Sequence, residues 1–133
     1  MSLFRFVQWI SEDKPVIVFG DGRQSRDFTY VDDIARGTLA ALSPCGYATF
    51  NLGSDRPVVL MDTIHIVERL LGKEARIEFR EAHRADVTAT WANITKARNQ
   101  LKWSPKVSLE EGAKRLVDWY NDNRTWAREI RTG

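Results

Sequence analysis

The feature that most constrains this chain is an apolar run of four residues, Val16-Ile17-Val18-Phe19, closed at once by Gly20-Asp21-Gly22. Four such side chains in a row have the length and composition of a strand, and the lack of a polar residue between them predicts burial on both faces. Helical periods surround the run. Leu3, Val7 and Ile10 follow i, i+4, i+7 spacing, and Pro15 ends that first helix. Leu60, Ile64, Val67 and Leu71 form a second stripe, with Gly72 as its C-terminal stop. Leu109, Ala113, Leu116, Val117 and Tyr120 form a third, opened by Ser108 with Glu111 three residues on, a capping box.

The remaining segments are shorter. Arg26, Phe28 and Tyr30 alternate with Asp27, Thr29 and Val31, a period-2 strand. Asp32 or Asp33 is expected to cap a helix with Ile34, Thr38, Ala41 and Leu42 on one face, stopped by Ser43-Pro44. Residues 49–52 and 76–80 read as two further strands. Asn93 caps a helix that turns Ile94, Ala97 and Leu101 inward. Trp91, Trp103 and Trp119 are expected in the core, Trp9 and Trp126 partly exposed, and the charged tail from Arg124 frayed. Lys102, if its position needs positive φ, costs about 1 kcal/mol there. The expected fold is a small α/β domain, close to α+β, with short strands and about five helices over all 133 residues.

Composition narrows the function classes. A hydrophobic fraction of 43% and five tryptophans support a packed core. No run of about 18 apolar residues is present, and the N-terminus does not read as a signal peptide. Cys45 is the sole cysteine, which excludes an internal disulfide and a cysteine zinc site and points to a reducing, cytoplasmic setting. His65 and His83 lack HExxH spacing, so no metal centre is expected. A net charge of +2 does not call for nucleic acid. The glycine loop has neither GxGxxG nor Walker spacing, no tyrosine has a lysine four residues on, and no Ser/Cys–His arrangement stands out. The chain carries no complete catalytic site.

Four segments nevertheless carry a signature together. FGDGRQSRDFTYVDD (residues 19–33) resembles the middle of the nucleotide-sugar epimerases and dehydratases, the extended short-chain dehydrogenase/reductases. FNLGSDRPVVLMDTI, HRADVTATWANITKARNQLKWSP and VSLEEGAKRLVDWYNDN are similar to three later segments of that family, in the same order, so that the resemblance covers residues 4–123. It implies the C-terminal, substrate-binding half of such an enzyme. The NAD or NADP site and the Tyr-x-x-x-Lys pair would lie in an N-terminal Rossmann half, leaving this chain alone inactive and without cofactor. The implied parent is a UDP-hexose or UDP-hexuronate 4-epimerase, or else a dehydratase or decarboxylase of the same family. The implied partners are a UDP-sugar, the Rossmann half and, in some assemblies, a second copy; neither nucleic acid nor membrane is among them. The rival class is a non-catalytic interaction module derived from the same fold.

The resemblance also assigns residues. Arg26 matches the arginine that contacts the diphosphate, the plain alternative being a surface arginine beside Asp27. Ile17, Val18 and Phe19 match the lining of the base pocket, or form a core strand. Asp86 matches an acid near the ribose, whose diol a carboxylate can accept through both oxygens. The family arginine three residues earlier is replaced by His83, so that either Arg84 takes over its phosphate contact or the contact is lost. Asn51 matches an asparagine near the phosphates, or shapes a turn.

Overall fold

The structure is a computed structural model describing residues 2–42, 46–82 and 86–132. Ten elements follow one another: α1 (Ser2–Ser11), β1 (Val16–Phe19), β2 (Ser25–Arg26), α2 (Val31–Ala40), β3 (Val58–Val59), α3 (Leu60–Leu71), β4 (Ile77–Arg80), α4 (Thr95–Gln100), α5 (Leu109–Asp122) and α6 (Arg124–Ala127). The fold is the expected small mixed α/β domain with short strands, though the described residues hold six helices rather than five.

The main core lies where α1, α3 and α5 meet β1. Val7, Ile10, Val16, Val18, Ile64, Val67 and Tyr120 are buried together there. Each helix contributes the stripe that its spacing predicts, and α3 ends on Gly72 at φ 62, as expected of a left-handed C-terminal stop. At the start of α5 the Ser108 hydroxyl accepts from the Glu111 amide at 3.2 Å. β1 pairs in parallel with β4, Val16 opposite Ile77. A second, smaller core gathers Ile94, Ala97 and Trp103 against Phe50 and Leu52.

Several expectations are corrected. Only one face of β1 is covered: Val16 and Val18 are buried, whereas Ile17 is half-buried and Phe19 half-exposed. The helices pack on one side of this two-stranded sheet, so a continuous apolar run need not mean two covered faces. The period-2 strand shrinks to Ser25–Arg26, paired with β3 in antiparallel register. Asp27 leaves the strand, its amide donating to the Thr90 hydroxyl and not to a strand carbonyl, and residues 49–52 join no ladder. Neither Asp32 nor Asp33 caps α2, whose N-cap position is Tyr30 without a side-chain bond. The buried face of α2 is Asp33 and Gly37, while Leu42 beyond its end is 75% exposed. A Cβ on Gly37 would lie 2.6 Å from Leu52 Cδ1, so glycine lets the helix close on the second core. Trp91 and Trp119 are exposed rather than buried, and only Trp103 of the three is in the core.

The tail is docked, not frayed. Ala127 is fully buried. The buried Gln8 side chain of α1 donates to Ala127 O at 3.2 Å and to Ile130 O at 2.9 Å. Arg124 adds an ion pair to Glu12 at 2.8 Å. A charged sequence hid this contact because its bonds run to backbone carbonyls.

Candidate functional site

The loop over residues 20–24 is stiffer than its glycines suggest. Gly22 sits at φ 75, and a Cβ there would meet Met61 Cγ at 2.6 Å. The loop's carbonyls face the start of α3, where Gln24 O accepts from Leu60 N at 2.9 Å and Gly22 O from Met61 N at 3.3 Å. These bonds satisfy helix amides that Val59 leaves without a side-chain cap. The loop is thereby a strut, and it delivers β2 to a fixed place.

Arg26 stands at the end of that strut. Its Nη1 donates to Ser25 O at 2.8 Å, and its Nη2 donates to Asp86 Oδ1 at 2.5 Å. The structure therefore joins two of the sequence-derived candidates, sixty residues apart in the chain. The backbone explains the meeting. Ser25 N donates to Thr88 O at 2.9 Å, and Thr90 N donates to Ser25 O at 3.1 Å, so the segment after Asp86 is stitched alongside β2.

Asp27, next to Arg26, is a residue that sequence reasoning passed over. Its Oδ1 accepts from Ser54 N at 2.7 Å, its Oδ2 accepts from Ala92 N at 2.9 Å, and its own amide donates to Thr90 Oγ1 at 3.2 Å. One carboxylate thus ties three segments around the arginine. Gly53 makes room: a Cβ there would fall 2.3 Å from Ala92 Cβ and 2.8 Å from Asp27 Oδ2. The available signal was the Arg-Asp pair facing a glycine at the end of FNLG, but one sequence does not reveal that the two meet.

The other candidates are dispersed. Ile17 and Phe19 lie on the open side of β1, and the Phe19 carbonyl accepts from Gln24 Nε2 at 2.9 Å. The Val18 side chain is fully buried in the core. Asn51 donates to Asn93 O at 3.4 Å and lines a different groove of about 460 Å3 with Asp27, Thr90 and Trp91. Arg84 and His83 lie outside the described residues. Among the described residues there is no cluster of three or more metal-ligating side chains, and no helix is long and apolar enough to cross a membrane.

The loop strut thus sets the Arg26 guanidinium against the Asp86 carboxylate in a small α/β domain. The GDP-mannose 4,6-dehydratase family model matches residues 2–116. The chain belongs to that family, the nucleotide-sugar epimerases and dehydratases of the extended short-chain dehydrogenase/reductases. It is 54% identical over 124 residues to a UDP-glucuronate 4-epimerase of Thermodesulfobacterium geofontis, covering 92% of this chain and 38% of that protein. The UDP-glucuronic acid 4-epimerase of Bacillus cereus, solved with UDP-glucuronic acid and NAD, superposes with a TM-score of 0.86 at 37% identity, over 92% of this chain and 40% of that one. The epimerase Mth375 of Methanothermobacter thermautotrophicus superposes with a TM-score of 0.90 at 30% identity, over 97% and 39%. The chain thus spans about two fifths of the length of the relatives it matches.

Proposed function

We propose that this chain is the nucleotide-holding portion of an NAD-dependent nucleotide-sugar epimerase acting on a UDP-hexose or UDP-hexuronate. The carrying observation is Arg26, fixed by Ser25 O and by Asp86 at the end of a rigid loop. A pre-positioned guanidinium is suited to a diphosphate, since its planar fork matches two oxygens and each charge-assisted bond contributes about 1.5–3 kcal/mol. Asp86 takes the ribose diol, and the open side of β1 at Ile17 and Phe19 receives the base.

Hydride transfer and the cofactor belong to a Rossmann half outside these residues, and the chain alone does not turn over substrate. Its apolar surface supports such a partner. Val31, Leu39 and Leu42 are exposed, and Leu3, Phe4, Tyr30, Leu116 and Trp119 line a groove of about 660 Å3. Apolar surface of this extent marks a place another polypeptide segment covers. High identity to an epimerase favours that chemistry over dehydration or decarboxylation, and the whole enzyme belongs in the cytoplasm with its nucleotide-sugar pool.

The test is a titration with UDP followed by amide NMR shifts. Shifts are expected at Phe19, Arg26 and Asp86, and Arg26→Ala should weaken UDP binding by about 2 kcal/mol, roughly 30-fold. Equal affinity in wild type and variant removes Arg26 from the site.

A further inference from the structure

The Arg26–Asp86 pair has a consequence for which ligands the site accepts. The two bonds between Ser25 and the segment around Ala89 hold Asp86 against the guanidinium. The pair measures 2.5 Å, yet its side chains are 22% and 44% exposed. An ion pair so open to water is weak enough for a ligand to part. It also puts a negative charge beside the Arg26 guanidinium.

We propose that Asp86 is a selectivity gate on Arg26: it occupies the guanidinium until a ligand presents both a phosphate to the arginine and a vicinal diol to the carboxylate. This rests on the reading of Arg26 and Asp86 given above. A bare phosphate or pyrophosphate must displace the carboxylate or sit beside it, and like charges repel over that distance. The displaced oxygens gain nothing in return. A nucleoside diphosphate supplies two hydroxyl donors, so the carboxylate trades one partner for another of similar strength. The site thereby refuses abundant inorganic anions without any steric filter, and nucleotides with a complete ribose are preferred over their 2′-deoxy forms.

Calorimetric titration of the 133-residue chain and its Asp86→Asn variant tests this, with inorganic pyrophosphate, UDP and dUDP at fixed ionic strength. Asparagine keeps the side-chain size at a half-exposed position, and circular dichroism verifies the fold. The variant should bind pyrophosphate about 5–10-fold more tightly. It should bind UDP about 10-fold more weakly and lose the preference for UDP over dUDP. Unchanged or weaker pyrophosphate binding in Asp86→Asn overturns the gate. So does an equal gain when the substitution is made on Arg26→Ala, because the effect is then one of net charge and not of freeing the arginine. If wild type does not bind UDP, or Arg26→Ala binds it equally well, the functional reading above fails; if those hold and pyrophosphate binding does not tighten, the gate alone fails.

Discussion

At the scale of single residues, the domain is organised by two aspartates that serve backbone amides. Asp27 ties three segments around Arg26, and Asp33 ties α2 to the turn before α5. The Asp33 side chain is 1% exposed. Its Oδ2 accepts from Lys106 N at 3.0 Å and Val107 N at 2.9 Å, its Oδ1 accepts from Arg36, and its carbonyl accepts from Trp103 Nε1 at 2.8 Å. Burial works against the charged form, but the Val107 amide, the Arg36 guanidinium and the Lys106 amide outweigh it and hold the carboxyl below the ordinary range. A carboxyl with a lowered folded pKa adds stability at neutral pH, because the unfolded chain is protonated first as pH falls. Asp33→Asn, equal in size but with one acceptor fewer, should cost about 2–3 kcal/mol at pH 7 by urea unfolding. The difference should shrink as pH drops below the ordinary value of 3.8. A gap that persists unchanged at pH 2 would mean that the side chain acts by packing and not by its charge.

Among the elements, the ends of helices show most clearly where local chemistry suffices. α3 stops at Gly72, whose φ of 62 costs glycine nothing. α4 is followed by a residue in the same conformation, Lys102 at φ 53, without that freedom. The turn is retained because it swings Trp103 into the second core, its ring reaching Asp33 O. Lys102→Gly relieves about 1 kcal/mol of backbone strain and returns part of it as unfolded-chain freedom. The variant should gain about 0.5 kcal/mol in denaturant unfolding; a loss would show that the lysine stem contributes packing that outweighs its strain.

For the molecule as a whole, the C-terminal tail closes the core on the N-terminal helix. Gln8 in α1 is buried and bonded to carbonyls of Ala127, Arg128 and Ile130, while Thr132 Oγ1 donates to Gln8 Oε1 at 3.0 Å. Deleting residues 124–133 should lower the unfolding free energy by about 3 kcal/mol, at about 1 kcal/mol for each of the two Gln8 amide protons and for the Thr132 bond lost. Thermal unfolding followed by circular dichroism measures it, and an unchanged midpoint would show the tail to be a passenger. On another side Tyr30, Leu116 and Trp119 line an apolar groove of about 660 Å3.

What the sequence by itself determined is a set of elements fixed by neighbours three or four residues away. The α1, α3 and α5 stripes, the Gly72 stop, the Ser108 cap and the strand at Val16–Phe19 are all local choices. The order of family-like segments singled out Arg26 and Asp86, though not that they touch. Tertiary structure decided the rest, because the deciding partners are far apart in the chain. Trp91 is turned outward by its bond to Asp55, Asp33 of α2 acts as a brace and not a cap, and Gln8 holds a tail more than a hundred residues away. A buried polar group must find its partner wherever the fold supplies one, and periodicity along the chain carries no information about a partner across the molecule.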